Sequence, residues 1–221
     1  MKLFNILCWI GLQTVIAADR SVIIGDSMYW SGMLFWGGQP SPLSKWLETW
    51  SGHSIENHAL VGASLQDGWV KSILAQYNDL VKQPNITTLI MDGGGNDVMS
   101  HKDDCVKFNQ ACTNMINTSL NIAKGIIDRA RNDGTKSVLY LGFYYLPNLD
   151  KAVDYGDTHL QQICRVEEQC YFIDPRYNAT TGTGLKTPDM LGSDGLHPNE
   201  EGYKILATMI WETAVKFNVT I

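Results

Sequence analysis

Beyond its first eighteen residues the sequence has no uncharged apolar run approaching the roughly 20 residues that a membrane-spanning helix needs. It has no lysine- and arginine-rich stripe either. With 17 Lys+Arg against 23 Asp+Glu, a formal net charge of −6, the chain offers nothing to neutralise a row of phosphates, which argues against a nucleic-acid partner. No internal repeat, low-complexity stretch or Gly/Pro cluster of linker length interrupts it, so one domain is expected. No CxxC pair with a nearby histidine is present, and no D-x-H follows the first apolar strand-like run, where metallophosphoesterases open, so no metal or cofactor is called for.

What the chain does have begins with Met1-Lys2, a nearly uncharged apolar run from Leu3 to Ile16, and Ala17-Ala18 before Asp19-Arg20. This pattern reads as a secretory signal peptide, with the small residues suiting cleavage after Ala17 or Ala18. The expected layout is a signal over 1–17 and a single domain over 18–221, exported to the extracellular space and monomeric. Cys8 would leave with the signal. The other four cysteines, Cys105, Cys112, Cys164 and Cys170, are an even number, as an oxidising setting favours. Their short spacings favour Cys105–Cys112 and Cys164–Cys170, while a crossed pairing stays open at this level. Four N-x-[ST] sequons, at Asn85, Asn117, Asn178 and Asn218, are candidate glycosylation sites. Asn117 has the most support, since it falls on the polar face of a helix whose apolar stripe is Ile116, Leu120, Ala123, Ile127 and Ala130.

Short β-branched runs alternate with segments of helical period, the pattern of a parallel sheet covered by helices. Candidate strands are Ser21–Ile24, Ser54–Asn57, Thr87–Met91, Ser137–Leu141 and Tyr171–Ile173. One helix is expected from Val70, Ile73, Leu74 and Tyr77, a second from the Ile116–Ala130 stripe. A third begins after Asn199 as N-cap, with Glu200 and Glu201 in its first turn and Tyr203, Leu206, Ile210 and Phe217 on its buried face.

Four pieces lie at or near the expected strand ends. Gly25-Asp26-Ser27 leads into an apolar, aromatic segment that looks helical; a serine there would be served by backbone N–H groups, although serine at an N-cap is common for structural reasons. Asp194-Gly195-Leu196-His197-Pro198 places a carboxylate three residues before a histidine. Such a carboxylate can reach back to Nδ1 and hold the base that a serine nucleophile needs, yet the same run also reads as a turn with a surface histidine. Gly62 and the Asn96 of Gly93-Gly94-Gly95-Asn96-Asp97 could each donate to a developing oxyanion alongside the Ser27 N–H; ordinary tight turns explain the glycines equally well.

Taken in order, Gly25-Asp26-Ser27, Gly62, Gly94-Gly95-Asn96-Asp97 and Asp194-Gly195-Leu196-His197-Pro198 resemble the four motif blocks of the SGNH/GDSL hydrolases. The resemblance implies a flavodoxin-like three-layer αβα sandwich with a five-stranded parallel sheet. It also implies Ser27 as nucleophile, His197 as base and Asp194 as the residue that orients it, with Ser27, Gly62 and Asn96 forming the oxyanion hole. Gly93, a third glycine before the Asn, and Met28-Tyr29-Trp30 after the serine fall outside the family pattern. The activity implied is hydrolysis of a carboxylic ester through an acyl-enzyme, on a small-molecule or carbohydrate ester: an acetylated sugar, a short-chain ester or a lipid. An acyltransferase with the same residues and an inactive binding protein are the alternatives.

The other histidines, His53, His58, His101 and His159, have no acid at matching spacing and read as surface or turn residues. Ser64 falls in a run that approaches G-x-S-x-G but ends in Gln66. Trp30, Phe35, Trp36, Trp46, Trp50 and Trp69 could face a sugar or an acyl chain, though core packing explains most aromatics. The Thr/Gly-rich stretch from Asn178 to Pro188 reads either as a lid over the site or as a plain surface loop.

Overall fold

The computed structural model describes residues 19–30, 41–82, 85–166 and 169–221. The expected signal peptide therefore lies outside the described residues, as do Phe35 and Trp36. In chain order the elements are β1 (Arg20–Ile24), α1 (Leu43–Ser51), β2 (Ile55–Asn57), α2 (Ile73–Leu80), β3 (Ile86–Met91), α3 (Gly95–Ser100), α4 (Lys102–Lys107), α5 (Gln110–Asn132), β4 (Ser137–Leu141), α6 (Asp150–Val166), β5 (Cys170–Ile173) and α7 (Glu200–Phe217). The strands pair in parallel in the order β2-β1-β3-β4-β5. That is the flavodoxin-like order, with the change of winding direction between β1 and β3.

Strands covered on both faces lose the polar alternation of half-exposed ones. Every residue of β3 and of β4 is buried, and each Leu or Ile so buried contributes roughly 1.5–3 kcal/mol. Alternate side chains serve opposite layers. Val22, Ile24, Leu89, Met91, Val138 and Tyr140 pack with α2, α5 and α6. Ile23, Ile90, Leu139 and Leu141 pack with α1 and α7, whose contact includes Trp50 against Trp211 at 6.4 Å between ring centroids.

Local chemistry sets the helix ends. Ser72, Asn109 and Asn199 accept backbone N–H groups of the first turns of α2, α5 and α7, the satisfaction of orphan donors that N-caps provide. Gly52 ends α1 at φ 72°, with its N–H on Glu48 O.

Three expectations need correction. The segment after Ser27 is a turn through Tyr29, closed by Tyr29 N–H on Asp26 O at 3.3 Å. Ser27 itself sits on that turn, while residues 31–40 of the segment expected to be helical lie outside the described residues. Val70 precedes α2 and is exposed, because the cap at Ser72 starts the helix later than the apolar spacing suggested. Phe217 ends α7 on the surface, stacked on Tyr171 at 4.5 Å between ring centroids, where the helix has run past the sheet edge it covers.

Cysteine pairing follows the short spacings: Cys105–Cys112 ties α4 to α5 and Cys164–Cys170 ties α6 to β5. All four sequon asparagines are exposed. The stretch from Asn178 to Pro188 is tied down by Asn178 N–H on Thr183 O and Leu185 N–H on Pro175 O, both 2.8 Å, and by fully buried Leu185. No helix among the described residues is long and apolar enough to cross a membrane.

Candidate active site

Gly25 follows β1 at φ 150°, and a reciprocal pair of bonds with the buried Gln76 amide clamps it: Gly25 N–H to Gln76 Oε1 at 2.9 Å and Gln76 Nε2 to Gly25 O at 3.0 Å. A Cβ on this residue would come 1.9 Å from Asp92 Oδ1. Glycine is therefore required both by backbone conformation and by the carboxyl group seated against it. Asp26 N–H donates to that same Asp92 Oδ1 at 2.9 Å, while Asp26 Oδ1 accepts Met28 N–H at 2.9 Å. These bonds fix the turn that carries Ser27, which is 8 % exposed.

The second element is the loop ahead of α7. Asp194 Oδ1 accepts the N–H groups of Leu196 and His197, both at 3.0 Å, and Gly195 turns the chain at φ 64°. Asp194 Oδ2 then lies 2.7 Å from His197 Nδ1, and His197 Nε2 lies 2.8 Å from Ser27 Oγ. With a carboxylate at Nδ1, the network assigns the proton to that nitrogen and leaves Nε2 to accept from the Ser27 hydroxyl. Tyr144, buried after β4, donates its hydroxyl to Leu196 O at 2.6 Å and pins the loop from below. Burial alone would raise the Asp194 carboxyl, but the Leu196 N–H, the imidazole and the His197 N–H outweigh it and hold the group below its ordinary value.

Gly62 turns at φ 76° in the loop after β2. Two side chains from α3 secure that loop: Asn96 Nδ2 donates to Ala63 O at 2.9 Å, and the Asp97 carboxylate accepts Leu65 N–H at 2.9 Å and Gln66 N–H at 3.1 Å. Asn96 Nδ2 also donates to Asp26 Oδ2 at 3.2 Å. The structure thus brings Ser27, Asn96 and His197 to one cleft, with Asp194 behind His197, and leaves Gly62 one residue before the Ala63 carbonyl that Asn96 holds.

A cleft beside Ser27, Asn96 and His197 is walled by Met28, Met99, Phe143, Tyr144 and Leu146. Met99, Phe143, Tyr144 and Leu146 also line an apolar cavity of about 60 Å³ that continues between α3, α5 and α6. Sequence reasoning missed the walls Met99, Phe143, Tyr144 and Leu146 and the pair Gln76 and Asp92. The signals were slight: an aromatic run after the fourth strand, one amide on an apolar helix face, and a lone carboxyl ending an apolar strand. Of the aromatic candidates, Trp46 and Trp50 pack against the α1/α7 core and Trp69 is fully exposed. Ser64 Oγ is bonded to Gln66 O at 2.6 Å. His53, His58 and His101 are exposed and His159 is half-buried. Among the described residues no group of three or more His, Cys, Asp or Glu converges as metal ligands would.

Solved structures share this architecture. The lipase Lip_vut3 from a goat rumen metagenome is 20% identical, with 89% of this chain and 97% of that chain covered at a TM-score of 0.66. A Clostridium thermocellum family 3 carbohydrate esterase is 16% identical over 90% and 97%, TM-score 0.64. A carbohydrate esterase family 3 protein from Talaromyces cellulolyticus is 15% identical over 90% and 98%, TM-score 0.61. At these identities the likeness concerns the fold. A search of curated proteins gives no match. The GDSL-like Lipase/Acylhydrolase family model, however, matches residues 23–205, a span that holds every residue of the site just described, and the chain accordingly belongs to that family.

Proposed function

We propose that the protein is an exported serine esterase that cleaves short-chain carboxylic esters through an acyl-enzyme. The observation that carries this reading is the unbroken line from Asp194 Oδ2 through His197 to Ser27 Oγ, at 2.7 and 2.8 Å. Ser27 Oγ attacks the ester carbonyl as His197 Nε2 takes its proton. Asp194 holds the imidazole in the required tautomer and stabilises the imidazolium, and His197 then returns the proton to the leaving alcohol. Water, activated by the same histidine, releases the acid.

The oxyanion is received by the N–H groups of Ser27 and Gly62 and by the Asn96 amide, a set of donors aimed before reaction begins. One Asn96 proton is committed to Ala63 O. The other faces Asp26, so it is the one that turns to the oxyanion. An acyl group would enter the apolar cavity behind Phe143. At about 60 Å³ that space is well below the ~150 Å³ that holds a benzene ring, which favours acetyl to butyryl groups over long chains. The alcohol half is a sugar or another small alcohol, in line with the carbohydrate esterases that share the fold. The apolar N-terminus, the two disulfides and the exposed sequons support export and glycosylation.

The test is hydrolysis of p-nitrophenyl esters from acetate to decanoate by the purified protein, with Ser27→Ala alongside. The reading expects hydrolysis of the short esters and its loss in Ser27→Ala. Hydrolysis that persists without the Ser27 hydroxyl, or none in the native protein, overturns it.

A further inference from the structure

Beneath Ser27 the chain buries two carboxyl groups against one another. Asp26 is 3 % exposed and Asp92 is wholly buried, and the ion pairs of the described residues engage neither. Their hydrogen bonds are unequal. Asp26 accepts at both oxygens, from Met28 N–H and from Asn96 Nδ2. Asp92 Oδ1 accepts Asp26 N–H, but Asp92 Oδ2 is buried and meets no donor. An ionised carboxylate can only accept. A second buried charge beside Asp26, with one oxygen left bare, would carry both a desolvation penalty and like-charge repulsion. A proton on Asp92 Oδ2 removes both penalties, since it turns that oxygen into a donor for the Asp26 carboxylate within its reach.

We propose that Asp92 is a positioning residue for the ester-cleaving reaction: protonated at Oδ2, it donates to the Asp26 carboxylate and through it keeps the Asn96 amide at the oxyanion hole. The protonation state has a physical cause, since burial first and the neighbouring Asp26 charge second raise the Asp92 carboxyl well above the carboxylate range. The surrounding titratable groups do not reverse it. Tyr29 after β1 and Tyr140 on β4 are themselves pushed up by burial, Asp97 on α3 adds negative charge, and His197 ahead of α7 acts on Asp26. When the substrate oxygen gains charge and draws the Asn96 proton from Asp26, the Asp92 hydroxyl remains to stabilise the Asp26 carboxylate. An ionised Asp92 would instead place a second negative charge beneath the oxyanion.

The inference rests on the reading of Asn96 as an oxyanion donor, and its test separates the two. Asp92→Ala is expected to lower kcat by about 10- to 100-fold with KM nearly unchanged, a smaller loss than removal of an oxyanion donor itself. Asp92→Asn keeps both an acceptor for Asp26 N–H and a donor for Asp26, and is expected to recover most of that kcat. Infrared difference spectra at neutral pH between the native protein and Asp92→Asn should show one protonated-carboxyl band, which Asp92→Asn lacks. The proposal is overturned by a folded Asp92→Asn as inactive as Asp92→Ala, by Asp92→Ala with native kcat, or by the absence of the band. If Asp92→Ala does not fold, Asp92→Asn and the infrared band decide. The band needs no turnover, so its presence in a protein without esterase activity would sink the esterase reading and not the protonation.

Discussion

The ring of Phe143 occupies the space that a side chain on Gly95 would fill: a Cβ there would come 2.5 Å from Phe143 Cε1. This contact seats the ring where the cleft beside Ser27 meets the apolar cavity between α3, α5 and α6. Phe143→Ala should open that passage and move the preference toward longer acyl groups. The kcat/KM ratio of butyrate to decanoate esters is expected to fall by about tenfold, within what a few methylenes are worth in an apolar pocket. An unchanged ratio would mean that the acyl chain does not pass Phe143.

Gly25 is held in place by shape as much as by conformation. Its φ of 150° is unfavourable for any side chain, and a methyl would overlap the Asp92 carboxyl. Gly25→Ala is expected to destabilise the fold by about 3 kcal/mol, a drop in Tm of about 6–12 °C for a domain of this size. Thermal denaturation followed by circular dichroism reads this directly, and a shift below 2 °C would show that the strand end yields freely.

The Cys105–Cys112 bridge closes a loop of 7 residues between α4 and α5. A link across so short a loop restrains the unfolded chain by about 2 kcal/mol. The double variant Cys105→Ser/Cys112→Ser should therefore lose about 4–8 °C in Tm while keeping esterase activity, because neither cysteine lines the cleft. A loss of activity before any loss of fold would show that α4 supports the site.

How much of this could be seen in the sequence follows from how local each feature is. Strands β1, β3 and β4 were visible because residues covered on both faces, such as Leu89-Ile90-Met91, form unbroken apolar runs, whereas β2, Ile55-Glu56-Asn57, has no such run and is only partly buried. The line from Asp194 to His197 is one loop, so three-residue spacing was enough to place it. α6 was not visible: its apolar positions Ala152, Val153, Leu160 and Cys164 are interrupted by Gly156 and by Asp157. Asp157 turns inward to accept Phe143 N–H with both carboxylate oxygens, and burial raises its carboxyl far above the ordinary range. α1 was masked by its tryptophans, which suggested a binding face while Trp46 and Trp50 pack against the α7 layer. Asp92 shows the deeper limit. Nothing in Leu89-Ile90-Met91-Asp92 says that the carboxyl will lie under Ser27, 65 residues earlier, because the parallel pairing of β1 with β3 in the sheet makes that contact.

Asp194 links the site to pH. Its folded-state carboxyl lies below the ordinary value of about 3.9: burial pushes it up, and the Leu196 N–H, the imidazole and the His197 N–H more than offset that. A depressed carboxyl contributes stability that is fully present above its unfolded pKa and is lost as pH falls through its folded one. As pH falls below about 4 the Tm of the native protein should therefore fall more steeply than that of Asp194→Asn, and parallel curves would refute the contribution. Above that window the variant should keep its fold and lose turnover. An Asn amide can donate to His197 Nδ1, which moves the imidazole proton to Nε2 and leaves no acceptor for the Ser27 hydroxyl. A kcat lower by about 10³- to 10⁴-fold with KM nearly unchanged is expected from that tautomer reversal. If Asp194→Asn instead turned over esters at near-native kcat, the bond from Asp194 to His197 would serve only to hold the loop.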